Sequence, residues 1–141
     1  MPLSEYNGIL GIKRAAHLLR RATFGATKQQ IDAFALLTPM QATNLLFRQM
    51  LPDPILPVDP LTGQDWFLTG TTDANSPDDE LQTFFKGWFI AQMLSTGVDP
   101  AISLAYSARE KIVFFLHTHF TTIQSKVNNS RSLFFQNQLF R

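Results

Sequence analysis

Two histidines separated by one residue, His117 and His119, are the first side chains in this 141-residue sequence that could do chemistry. Neutral imidazoles ligate metals and carry protons, and a His-x-His pair chelates one ion when both rings face the same way. On a strand they would. Here they lie in Arg109-Glu-Lys-Ile-Val-Phe-Phe-Leu-His-Thr-His-Phe120, whose apolar run reads as a buried helix. Two residues turn a helix by about 200°, so the rings diverge and cannot share an ion. Each histidine is a metal or catalytic candidate only if it joins groups from elsewhere. The structural reading places His119 with Ile112, Phe115, Leu116 and Ile123 on one buried face, as a hydrogen-bonded core imidazole. Glu110 is the third catalytic candidate. It precedes His117 by seven residues, about 10 Å along a helix axis, which is too far for a direct acid/base pair. Ser107-Ala-Arg-Glu110 also fits the capping-box pattern Ser-x-x-Glu, so Glu110 is expected at a helix start with Arg109 and Lys111 as solvated or ion-paired neighbours.

A basic cluster near the start, Lys13, Arg14, His17, Arg20 and Arg21, could hold phosphate, an acidic polysaccharide or a nucleic-acid backbone. Arg14, His17, Arg20 and Arg21 are therefore the anion-binding candidates. No aromatic residues interleave with them, and 12 basic against 11 acidic residues leave a formal charge of only +1, so no bulk field draws nucleic acid. A solvated helix face is the plainer account, with Arg21 available to pair with a carboxylate that orients the next helix. Hydroxyls at Thr118, Thr121, Thr122 and Ser125 lack a Gly-x-Ser-x-Gly elbow or a second basic partner. There is no glycine-rich phosphate loop, and nothing calls for a cofactor. Cysteine is absent, which excludes disulfides, thiolate catalysis and cysteine-based zinc sites.

The elements that must position these residues are helical. Ile12, Ala15, Ala16, Leu19 and Thr23 share one face of a first helix, opposite most of the basic cluster. Gly25 stops it. Thr27 caps a second helix carrying Ile31, Phe34, Ala35 and Leu37, and Thr38-Pro39 starts a third through Ala42, Leu45, Leu46 and Met50. Between Pro52 and Pro77 prolines and glycines recur, marking a long connection, and Trp66 and Phe67 within it suggest apolar anchors laid across the folded body. Ser76-Pro-Asp-Asp-Glu80 then starts a fourth helix, which Gly97 ends. Asn128, Asn129 and Ser130 form a polar break before the last helix. Helices are predicted over 11–24, 28–37, 39–50, 78–96, 108–123 and 131–141. No segment alternates with period two, so the class is all-α, an irregular helical bundle with a long Pro/Gly-containing loop between its third and fourth helices.

Phenylalanine is unusually frequent, at 13 residues, and pairs at 84–85, 114–115 and 134–135. Adjacent rings on a helix point about 100° apart, so these segments read as central helices covered on two sides. No run reaches the ~20 apolar residues of a membrane span, and the N-terminus lacks a basic segment followed by an apolar one. On sequence alone the chain is soluble and cytoplasmic.

Three stretches, Ala16-His-Leu-Leu-Arg-Arg-Ala-Thr-Phe-Gly25 with its following Ala-Thr, Arg109 to Phe120, and Gln136-Asn-Gln-Leu-Phe-Arg141, together resemble the domain of unknown function 1800 family in order and spacing. Where many relatives carry Trp before the first His of the second stretch, this chain has Leu116. The resemblance implies a bacterial protein, often exported and often encoded beside a sulfatase-like partner family. It supplies no established reaction, cofactor or catalytic residue. Relatives run to several hundred residues, so the chain is expected to be a fragment, the N-terminal part of a single larger helical domain. Its 131–141 helix would then leave Leu133, Phe134, Phe135, Leu139 and Phe140 short of partners, to pack on the rest of the domain or another chain, or to drive self-association. Two functional readings follow: a structural or assembly module acting with that partner, or a hydrolase-like enzyme completed by a missing C-terminal part and using His117 or His119.

Overall fold

The computed structural model describes residues 6–47, 50–59, 63, 65, 78–120, 122–127 and 129–141. Among these, seven helical segments form an all-α fold: α1 (Gly11–Ala22), α2 (Lys28–Ala35), α3 (Pro39–Leu46), α4 (Asp78–Met93), α5 (Ser103–His119), the single turn α6 (Gln124–Val127) and α7 (Ser130–Leu139). Among the described residues the extended backbone contributes one isolated antiparallel bridge, between Val58 and Asp65.

Local sequence explains the starts of α2 and α3. Thr27 and Thr38 each accept a bond from the backbone N–H three residues on, while Gln30 and Gln41 reach back to the capping residue, so two orphan donors are satisfied at each end. Pro39 adds a pre-set φ where no N–H is needed. At α7, Asn129 accepts from the Ser132 N–H at 3.0 Å, and Ser130 begins the helix fully buried. Gly97 adopts φ +76° just beyond α4, a left-handed conformation that costs glycine little.

Helix α5 begins at Ser103, not at 108. The Ser107–Glu110 capping box is therefore wrong: both residues lie inside the helix and are buried. The turn at Asp99, whose side chain accepts from the Ala101 N–H, leads the chain into α5 earlier than the sequence pattern suggests. Trp66, Phe67, Ser76, Pro77, Thr121 and Asn128 lie outside the described residues. In the described part of the connection, Pro54 and Pro57 are buried, and the Trp88 indole of α4 donates to the Ile55 carbonyl at 2.6 Å.

There are two apolar clusters among the described residues, of which the first includes α5. The first joins Leu10, Ala15, Leu19, Phe34, Ala35, Ala42 and Leu46 to Ala108. The second packs Phe85 of α4 on Leu133 and Phe134 of α7, with Leu81 and Trp88 at its edge. Ala15, Leu19 and Thr23 are buried as their spacing predicts, but Ile12 is exposed. The phenylalanine pairs are not covered on two sides. Phe85 and Phe134 are buried while Phe114, Phe115 and Phe135 remain exposed, because they lie on sides of α5 and α7 away from the face that packs Phe89, His117, Asn137 and Phe140 together. For the same reason Ile112, Phe115, His119 and Ile123 form an exposed face, the reverse of the buried one expected. Of the five α7 residues expected to lack partners, Leu133 and Phe134 are buried, Phe140 is half-buried, and Phe135 and Leu139 are exposed.

Leu19 is fully buried in the first cluster. Truncating such a side chain removes transfer energy and leaves a cavity, so Leu19→Ala should cost about 3 kcal/mol in urea unfolding. Exposed Ile12→Ala should cost well under half as much.

Candidate functional site

The polar centre of the molecule lies between α4, α5 and α7. Tyr106, Glu110, Val113 and His117 repeat at spacings of four, three and four along α5 and therefore share one stripe. Asn137 and Arg141 face them from α7 and its end, and Phe85, Trp88, Phe89 and Gln92 face them from α4. Glu110 is fully buried. Arg141 grips it side-on, with Nη2 donating to Oε2 at 2.6 Å and Nε to Oε1 at 3.2 Å. Such a fork-on-carboxylate pair is among the strongest polar contacts a protein makes. Arg109 Nε lies 3.3 Å from the same Oε1. Its guanidinium rests on the Tyr106 ring, 4.5 Å from the centroid, while that of Arg141 lies 5.1 Å from the Trp88 ring.

Flanking groups complete the network. The Tyr106 hydroxyl donates to Gln92 Oε1, and burial, then the Glu110 charge, pushes its pKa above the ordinary tyrosine value, so it stays a donor. Arg141 Nη1 donates to the Asn137 carbonyl at 3.3 Å. Asn137 Nδ2 lies 2.9 Å from His117 Nε2, and the His117 ring is held between Phe89 and Phe140, at 5.3 and 4.9 Å between centroids. Burial, with the nearby Arg141 charge, lowers the His117 pKa from its ordinary value. This histidine is therefore a neutral ring within the packing. Two buried polar atoms of the network, Arg109 Nη2 and Asn137 Oδ1, have no hydrogen-bond partner.

His119 points elsewhere. Its Nδ1 lies 2.9 Å from the Phe115 carbonyl, and its ring stacks on that phenylalanine at 3.8 Å between centroids, on the exposed side of α5. The two histidines thus diverge as helix geometry requires. His117 shares a stripe with Glu110, but the groups between them are Arg141 and Asn137, not a shared proton. Lys13, Arg14, His17, Arg20 and Arg21 are all exposed on α1. Arg14 stacks over Tyr6 at 4.4 Å, an aromatic contact the sequence did not suggest. Arg21 has no ion pair among the described residues.

An adjacent stripe of α5, about 100° round the helix, clamps the end of α1. Ser107 Oγ accepts the Phe24 N–H at 3.0 Å, and Lys111 Nζ donates to the Thr23 carbonyl at 3.1 Å and lies over the Phe24 ring at 4.8 Å. A cavity of about 350 Å³ adjoins this clamp, lined in part by Thr27, Gln30, Leu94, Ser95 and Ser103. Its polar groups bond one another: Gln30 Nε2 donates to Ser103 Oγ, and Ser95 Oγ to the Ser103 carbonyl. No titratable side chain lines it.

A family model described as "Protein of unknown function (DUF1800)" matches residues 17–141. The chain belongs to the DUF1800 family. The match includes every residue of the buried network and of the Thr23–Phe24 clamp, so the stretches that carry the resemblance are also those that tie α1 and α7 to α5. No curated protein and no solved structure matches the chain.

Arg141 ends the third of the family-like stretches, and nothing in the sequence alone assigns it a role. The signal was present in the arrangement of residues: a carboxylate two turns before a histidine on an apolar helix, and an arginine four residues after Asn137 on another. Glu110→Gln would leave two guanidiniums facing a neutral amide and should cost about 3–5 kcal/mol. Arg141→Met should cost less, since Arg109 still faces the carboxylate. Urea unfolding ranks the two variants, and the reverse order would contradict this division of roles.

His117 adds a pH dependence. Its folded pKa is depressed, so the unfolded chain takes up the proton first, and stability is lost as pH falls below about 6.5 toward the folded value. The melting temperature should drop over this window, and the slope should flatten in His117→Gln.

Proposed function

We propose that this DUF1800 chain is a structural or assembly module, a helical scaffold that presents an apolar face to a protein partner. A sulfatase-like protein is the partner class implied by the family resemblance. The observation that carries this reading is that Glu110, the carboxylate nearest the central histidine, has both oxygens held by Arg141. A carboxylate so committed is fully buried and has both oxygens turned to a side chain of the protein itself. His117 is packed between two phenylalanines, and His119 faces away from it. Among the described residues no group of three or more His, Asp or Glu is placed to hold a metal ion.

Surface composition supports the partner-binding half of the proposal. Phe115, Phe120 and Ile123 are each more than half exposed near the end of α5, as are Phe135 and Leu139 on α7. Large apolar side chains exposed together mark interfaces more often than isolated ones do. No helix among the described residues is long and apolar enough to cross a membrane.

The test is co-expression with a sulfatase-like protein encoded beside the chain, followed by light scattering. A complex of summed mass that is lost in a Phe115→Asp, Leu139→Asp double variant is expected. A chain that forms no complex, yet hydrolyses ester substrates in a reaction abolished by a folded His117→Ala variant, would overturn the proposal in favour of the enzyme reading.

A further inference from the structure

Helix α1 carries five basic side chains and no acid. Lys13, Arg14, His17, Arg20 and Arg21 are all exposed. At about 100° per residue they fall within a sector of about 120° centred opposite the buried Ala15 and Leu19. None of them makes an ion pair among the described residues, whereas Lys28 pairs with Asp32, and Arg109 and Arg141 with Glu110. The helix dipole favours Arg20 and Arg21 in the last turn. It disfavours Lys13 and Arg14, which sit in a first turn that holds no acid and whose cap, Leu10, makes no side-chain bond. Helix stability therefore does not account for the basic residues at this end.

Apolar side chains adjoin the same end of α1. The Leu10 N–H donates to the Leu37 carbonyl at 2.8 Å, which sets the start of α1 beside the end of α2. Ile9, Ile12 and Leu36 stand one or two residues from that bond and Met40 three, and each is more than half exposed. Single exposed apolar residues are ordinary, but several gathered beside an uncompensated basic face mark a contact surface.

We propose that α1 docks the chain on the surface of an anionic lipid bilayer. Its basic face lies against the headgroups, and Ile9, Ile12, Leu36 and Met40 enter the boundary between headgroups and acyl chains. Charge complementarity selects an anionic partner. The aliphatic side chains select the bilayer among such partners, because a nucleic-acid backbone or an acidic polysaccharide offers charge without an apolar layer to receive them. Tyr6, beneath the Arg14 guanidinium at 4.4 Å, has the amphipathic ring that suits this boundary. The helix lies on the membrane and does not cross it. The surface is separate from the exposed residues of α5 and α7 assigned to a protein partner, so either contact can fail without the other.

The intact chain is mixed with vesicles of phosphatidylcholine alone and of equimolar phosphatidylcholine and phosphatidylglycerol, and the bound fraction is read by co-sedimentation. Binding to the anionic vesicles only, weakening as sodium chloride is raised, is expected. The double variant Arg20→Gln, Arg21→Gln should bind about twenty- to thirtyfold more weakly, roughly fivefold per charge. Arg20→Lys with Arg21→Lys should bind as the wild type does, since the bilayer field reads charge and not guanidinium shape. Ile12→Ser with Leu36→Ser should lose about tenfold or more on anionic vesicles and nothing on soluble polyphosphate. All four positions are exposed, so the melting temperatures should match the wild type's. Equal binding to the two vesicle types, or an anionic-vesicle affinity unchanged in the glutamine pair, would overturn the proposal. So would an affinity unchanged in the serine pair, which would make the face a site for soluble polyanions held by charge alone.

Discussion

One buried carboxylate constrains this fold more than any other group. Glu110 has no exposure to solvent, and an ionised carboxylate in that position is tolerable only with a charge partner and filled lone pairs. Arg141 meets both needs, reaching in from beyond the end of α7. The contact does more than add attraction. A hydrophobic pair of similar volume could contribute as much stability, but it would accept a helix in several registers, whereas a side-on guanidinium accepts one. The position of α7 on α4, the enclosure of His117 and the stacking of Arg141 on Trp88 all presuppose that register.

Helix α5 makes the arrangement possible because its two polar stripes serve different neighbours. Ser107, Lys111 and Phe114 hold the end of α1 through Phe24 and Thr23. Tyr106, Glu110 and His117 hold α4 and α7. Each stripe spans a gap with hydrogen bonds and ring contacts where small apolar residues alone would leave the backbones free to slide. The helix is thus a spine that ties the end of α1 to α4 and α7.

Much of the fold was legible in the sequence. Thr27 with Gln30 and Thr38 with Gln41 place two helix starts by local hydrogen bonding alone, and the divergence of His117 and His119 follows from helical pitch. What misled was a pattern with two physical meanings. Ser107-x-x-Glu110 has the spacing of a capping box, but the same spacing inside a helix sets a serine on one neighbour and a carboxylate on another. Only the tertiary partners, Phe24 and Arg141, distinguish these cases, and they lie 83 and 31 residues away in sequence. The exposed face of Ile112, Phe115 and Ile123 was misjudged for a related reason: apolar periodicity says which residues would prefer burial, not whether a neighbouring helix is there to bury them.

If Glu110–Arg141 fixes α7, then breaking the pair should release that helix while leaving the α1–α3 cluster intact. Native-state amide hydrogen exchange on Arg141→Met measures this residue by residue. The account predicts that protection of the amides from Leu133 to Leu139 collapses toward that of a freely opening helix, while those of Leu19 and Phe34 exchange as in the wild type. Unchanged protection along α7 would contradict it.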